Sequence, residues 1–155
     1  MSRRRSGSKL DDDVFHDVEP LRREGDTRAK NILLQSHRSA IGTAAEAAVA
    51  SYLAAQGLDV IARNIRVGRL EIDLIAREGT VIAVIEVRTR GDTSWQRALD
   101  SIDGRKRARI RQAGERLWRA RFSRDRRIER MRFDAASVTF SPSGETLIEH
   151  IKAAF

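Results

Sequence analysis

The stretch from Glu71 to Arg90, E-I-D-L-I-A-R-E-G-T-V-I-A-V-I-E-V-R-T-R, sets acids among residues that a fold buries. Two runs rich in Val and Ile flank Glu78-Gly79 and read as a β-hairpin. Side chains alternate along a strand, so Glu71, Asp73 and Ile75 share one face of the first strand. Ile82, Val84, Glu86 and Arg88 share one face of the second. Both strands carry apolar residues on both faces, the pattern of central strands covered on each side, so helices should flank the sheet. An ionised carboxylate is costly to bury unless it is paired or bound to a metal. A turn centred on Glu78-Gly79 pairs Asp73 with Val84 and Glu71 with Glu86, which makes Asp73 and Glu86 diagonal neighbours roughly 7 to 8 Å apart. Two carboxylates at that separation can share a divalent ion.

The rest of the chain supplies an α/β frame for this hairpin. Its 155 residues suit one domain with a tail. Residues 1–36 mix charged residues with Gly and Ser, bury too little to offset ordering entropy, and read as a disordered or weakly ordered charged tail. The domain then spans residues 37–155. From Ser39 to Gln56, Ile41, Ala44, Ala45, Ala48, Val49, Tyr52 and Leu53 recur at helical spacing, and Gly57 stops the helix. Glu46 flanks that stripe and can point toward a sheet edge. The alternative is a capping box, Thr43-Ala-Ala-Glu46, in which the glutamate only satisfies backbone amides. Leu58 to Val67 reads as a strand, Ser94 to Leu99 as a helix or loop, and Arg105 to Phe122 as a helix burying Ile110, Ala113, Leu117 and Trp118. Met131 to Phe140 and Glu145 to Ile151 read as strands, the last at an edge.

Charge narrows the function classes. The net charge is +8, and residues 103–132 alone hold thirteen Lys/Arg against four Asp/Glu, enough to account for the whole excess. Such a face attracts polyanions, chiefly nucleic acid, through phosphate neutralisation; its bland counterpart is a solvated helix face rich in Arg. There is no cysteine, so disulfide frameworks and thiolate metal sites are excluded. No apolar run approaches the roughly 20 residues that span a bilayer, and Arg3 to Arg5 lead into Asp11 to Asp13 rather than an apolar signal, so a cytoplasmic protein without a membrane partner is expected.

Phosphate-loop, dinucleotide and H-E-x-x-H patterns are missing, and His16, His37 and His150 are scattered and expected to be structural or exposed. Asp73, Glu86 and Arg88 remain, with Glu46 as a third acid. Hard cations such as Mg²⁺ take carboxylate and carbonyl oxygens, lower the pKa of bound water and stabilise charge on a phosphodiester. A cation two residues beyond Glu86 can orient that water or offset the developing charge. The competing reading is an ordinary same-face ion pair between Glu86 and Arg88.

The pattern D-x(n)-E-x-K on a hairpin after a glutamate-bearing helix resembles the PD-(D/E)xK, or restriction endonuclease-like, superfamily. More narrowly the chain is similar to the bacterial YraN family, endonuclease-like proteins related to archaeal Holliday junction resolvases. The matching stretches are G-T-A-A-E (Gly42 to Glu46), Y-L-A-A-Q-G-L (Tyr52 to Leu58), A-R-N-I-R (Ala62 to Arg66), E-I-D-L-I-A (Glu71 to Ala76), I-E-V-R-T-R (Ile85 to Arg90), Lys106, R-F-D (Arg132 to Asp134) and the terminal H-I-K-A-A-F. The resemblance implies a restriction endonuclease-like core, α-β-β-β-α-β, with a central mixed sheet flanked by helices. It implies Asp73, Glu86 and the Val87 carbonyl as ligands of Mg²⁺ or Mn²⁺, with Glu46 as an auxiliary acid. The activity implied is a metal-dependent endonuclease acting on DNA, branched or damaged DNA included, with DNA preferred to RNA and a homodimer left open. Arg105, Lys106 and Arg109 of the basic helix are expected to grip the backbone. Two small departures stand at Leu70 and Ala45, where the family has Gly. The larger one is Arg88 in the lysine position: it keeps the charge, but its pKa above about 12 and wide planar fork do not replace a compact ammonium freely. The alternative is therefore a weak or inactive nuclease-fold protein that binds nucleic acid.

Overall fold

Residues 24–90 and 102–155, with side chains from residue 31 onward, are described by the structure, a computed structural model. One mixed sheet holds, in spatial and chain order, β1 (Asp59–Val67), β2 (Leu70–Glu78), β3 (Val81–Arg90), β4 (Arg130–Phe140) and β5 (Thr146–Ile151). Every neighbouring pair is antiparallel except β3 and β4, which are parallel. A parallel pair needs a crossover. Helix α2 (Gly104–Leu117) and the π-helical turn Trp118–Phe122 lie in that connection, and α1 (Glu24–Ala55) precedes the sheet. The expected α/β architecture with an α-β-β-β-α-β core is the one observed. Among the described residues no helix is long and apolar enough to cross a membrane.

Helix α1 begins at Glu24, not Ser39. Hydrophobic periodicity marks a helix only where one face is buried, and residues 31–40 are exposed all round, so nothing in their pattern signals the longer helix. This also removes the capping box. Thr43 sits in the helix interior and its hydroxyl donates back to the Ser39 carbonyl at 3.0 Å. The tail expected over residues 1–36 falls mostly on 1–23, and the helix or loop at Ser94–Leu99 lies with it outside the described residues.

The two sheet faces carry separate apolar layers. Ala45, Val49 and Leu53 of α1 pack with Leu74, Ala76, Ala83, Ile85, Ala136 and Val138. Ile110, Ala113 and Leu117 of α2 pack with Ile75, Ile82, Val84 and Ala135. Strand β3 is buried from Val81 through Glu86, as its two-sided apolar pattern requires. Gly114 lets α2 approach β4, because a Cβ there would stand 2.5 Å from Cε1 of Phe133.

On the α1 face of the sheet, where Asp134 pairs with Ile85 next to Glu86, the R-F-D and H-I-K stretches meet. The fully buried Asp134 carboxylate accepts from Arg132 Nε at 3.0 Å and from Ala153 N at 2.9 Å, with His150 Nε2 also at 3.0 Å. Arg132 reaches on to Glu78, which takes Lys152 Nζ at 2.6 Å. These contacts hold the Glu78 carboxyl below its usual range, Lys152 first and Arg132 second. His150 packs edge-on against Tyr52, with ring centroids 6.4 Å apart, so it is structural, as expected. Just beyond, Ala154 N donates to the Phe133 carbonyl at 2.7 Å. The C-terminal residues are thus pinned across β4.

Candidate active site

The β2–β3 turn sets which acids meet. Glu78 pairs with Val81, so the two-residue turn is Gly79-Thr80 rather than Glu78-Gly79, and Gly79 supplies the positive φ (59°) that such a turn needs at its first position. The register therefore lies two residues away from the expected one: Ile75, not Asp73, faces Val84. A slip of two by itself moves no side chain to the other face, although the expected common face of Glu71, Asp73 and Ile75 breaks at Asp73, since Ile72 packs in the layer of Ile75. The slip also sets Asp73 opposite Glu86, one step beyond the last rung, Leu74 with Ile85, where their side chains meet. Glu71 pairs instead with Arg66 on β1 and is exposed.

Strand β2 leaves β3 at that last rung, whereas β3 stays paired with β4 through Arg90. The Val87 N–H is thereby freed, and Asp73 fills the gap, its Oδ2 accepting from Val87 N at 2.8 Å. Asp73 is turned into this position by a kink shared with β1. The pairing runs from Arg63 with Leu74 to Ile65 with Ile72 and omits the rung between, Asn64 with Asp73. Asn64 is left-handed, φ 49°. Ile72 and Ile75 then pack in the same layer despite their odd spacing, which a straight strand forbids. Asn is among the few residues that adopt this conformation at low cost. Asn64→Val is expected to lose about 1 to 2 kcal/mol of stability and Asn64→Gly far less, as read by urea unfolding.

Glu86 is 2% exposed. Its Oε1 lies 3.2 Å from Lys106 Nζ and 3.4 Å from Arg88 Nε, while its Oε2 is buried with no partner. Burial first, and the neighbouring Asp73 charge second, push its pKa up to about 7, against the pull of Lys106 and Arg88. Burial likewise raises Asp73, opposed chiefly by the Val87 N–H. A buried and a half-buried carboxylate in contact cannot both ionise freely, so Glu86 holds its proton to near neutrality.

Lys106 reaches this pair from the first turn of α2. Asp103 caps that turn, its Oδ1 accepting from Lys106 N at 2.7 Å. The cap was legible as Asp-Gly-Arg-Lys before a helical run, and so was Asn64 as a strand Asn; contact between Lys106 and Glu86 had no sequence signal. Arg105 and Arg109 are exposed on α2. Glu46 is half-buried and lines a cavity of about 240 Å³ with Gly42, Ala45, Val87, Arg88 and Thr89. Among the described residues no three His, Cys, Asp or Glu side chains converge as a metal-holding group. The acid centre is the pair Asp73 and Glu86, with Glu46 beside Val87 and Arg88. Val87 is tied to the pair through its N–H.

A family profile described as "Uncharacterised protein family UPF0102" matches residues 45–138. A UPF0102 protein of Sorangium cellulosum is 71% identical over 118 residues, covering 76% of this chain and 82% of that protein. One from Nocardia farcinica is 35% identical over 118 residues, 76% of this chain and 91% of its own. One from Ectopseudomonas mendocina is 36% identical over 122 residues, 79% and 98% respectively.

Proposed function

The chain belongs to the UPF0102, or YraN, family, and from that premise and the acid pair we infer a divalent-metal-dependent endonuclease that hydrolyses phosphodiester bonds in DNA. One observation carries the reading. Half-buried Asp73 and buried Glu86 meet where β2 parts from β3, with Glu86 Oε2 unpartnered and two cations alongside.

The donor set fits a hard cation. Carboxylate oxygens are the preferred ligands of Mg²⁺ and Mn²⁺, which complete their shells with water and substrate phosphate and so require only one or two protein acids. A buried, unpaired carboxylate oxygen is costly to leave so, and Asp73 and Glu86 are the residues that would hold the ion. When bound, the ion supplies a more acidic water and an offset to negative charge on the phosphate. The chain's own residues do the rest. Val87 N–H and the Asn64 kink hold Asp73 in place; Arg88 keeps Glu86 oriented; exposed Arg105 and Arg109 attract the backbone. DNA, branched or damaged DNA included, is the substrate class that the resemblance to restriction endonuclease-like and resolvase-like proteins supports.

Purified protein with Mn²⁺ or Mg²⁺ is expected to cut at least one of a panel of single-stranded, duplex, flap and four-way DNA. Asp73→Ala is expected to lower the rate about 10³-fold, which corresponds to about 4 kcal/mol of barrier, with DNA affinity unchanged or higher because a charge that repels phosphate is gone. The Arg88 contact at 3.4 Å from Glu86 favours a second reading, in which the ion pair consumes the acid and the protein only binds nucleic acid. Salt-sensitive binding with no cleavage by any metal would establish that reading and sink the first.

A further inference from the structure

Arg88 occupies the strand position where the E-x-K pattern has lysine, yet an ammonium stands at the acid pair, delivered by another element. Lys106 Nζ lies 3.2 Å from Glu86 Oε1. The Asp103 cap fixes the backbone of Lys106 in the first turn of α2. The same lysine lines a cleft of about 190 Å³ with Arg69, Leu70, Glu71, Arg109 and Ile110. Lys106 therefore stands between the acids and a cleft that carries two further cations, Arg69 from the β1–β2 turn and Arg109 from α2. Arg88 lines the Glu46 cavity instead, and its Nε, 3.4 Å from Glu86 Oε1, is buried without a hydrogen bond.

We propose that Lys106 is the reaction-site cation of this protein, reaching from α2 to the phosphate that lies between the Asp73–Glu86 pair and the Arg69–Arg109 cleft. The assignment rests on the nuclease reading and deepens it. An ammonium has three rotatable donors on a flexible stem, so it can keep one on Glu86 and turn another to a phosphate oxygen or to the attacking water, which a planar fork cannot do in the same space. In the hydrolysis, the oxygen of water bonds to phosphorus as one phosphorus–oxygen ester bond breaks. The water loses a proton to solvent and the departing sugar oxygen gains one from solvent. Lys106 keeps all its protons throughout and offsets the charge that builds on the non-bridging oxygens. The lysine function has then moved from β3 to α2, and Arg88 serves as the holder of Glu86.

The test compares the full chain with Lys106→Ala, Lys106→Arg and the double variant Arg88→Lys/Lys106→Ala. The Lys106 side chain is 35% exposed, so its truncation should leave the fold intact. In single-turnover cleavage of a four-way DNA with Mn²⁺, Lys106→Ala should fall about 100-fold, the usual scale for losing one transition-state donor. DNA affinity should fall much less, since one phosphate contact among many is lost. Lys106→Arg should recover little. The double variant should regain about tenfold over Lys106→Ala, because lysine returns to the strand. Calorimetric titration with Mn²⁺ gives a readout independent of turnover: Lys106→Ala should bind the ion several-fold more tightly, as a competing cation has left Glu86. Cleavage by Lys106→Ala at the wild-type rate, a loss no larger than its loss of DNA affinity, or an unchanged Mn²⁺ affinity each overturns the assignment while the nuclease reading stands. A wild-type protein that cuts nothing sinks the nuclease reading itself, and the role of Lys106 with it.

Discussion

Glu86→Gln is expected to raise the thermal stability of the metal-free protein at pH 8 while abolishing cleavage. In the unfolded chain this glutamate loses its proton near its ordinary 4.5; in the folded protein it holds the proton to about 7. Between those values the folded state binds more protons, so its stability falls as pH rises through the window and stays lower above it. The integrated loss is on the order of 3 kcal/mol. Glutamine keeps the shape, presents a carbonyl to Lys106 and an amide N–H to Asp73, and titrates nowhere. Thermal scans from pH 4 to 8 should show the wild-type curve sagging across the window more than the variant's, with a gap in Tm of about 5 to 10 °C at pH 8. Adding Mn²⁺ should close the gap by raising only the wild type. A variant less stable than wild type at pH 8 would contradict the picture of two acids forced together.

Asp134→Ala is expected to cost about 3 to 5 kcal/mol, because removing one member of a buried charge network strands the others. Arg132, His150 and the Ala153 amide all lose their acceptor at once. Urea unfolding at pH 8 reads the loss directly. Since this knot lies on the α1 face of the sheet and its carboxylate contacts neither Asp73 nor Glu86, cleavage by the protein that remains folded at low temperature should be little changed. A parallel collapse of cleavage and stability would instead place Asp134 in the site.

That contrast shows where the sequence was legible and where it was not. The hairpin, the basic helix and the last two strands follow from period and turn chemistry alone. The face shared by Asp73 and Glu86 was also legible, because a two-residue register error leaves faces intact; their direct opposition was not, because a two-residue hairpin can carry its glycine first or second and the choice between Glu78-Gly79 and Gly79-Thr80 turns on backbone φ. Residues 24–38 of α1 carry no period because neither face is buried where side chains are described. Contacts between distant segments were the least visible. Lys106 stands out in the sequence only as a family-matching, backbone-gripping cation of a basic run, and the capped first turn of α2 is what brings it to Glu86.

The bond from Val87 N–H to Asp73 makes one carboxylate serve as both a rung of the sheet and a member of the acid pair. Occupancy of the site and local strand cohesion are therefore a single variable. Whatever rotates or neutralises Asp73, whether a proton, an ion or an arriving phosphate, acts at the same moment on a backbone amide of β3, at a residue that β4 pairs through Ala136. The Val87 amide is in this sense a witness built into the main chain, reporting in its exchange rate and its resonance what happens at an acid fourteen residues earlier in the chain.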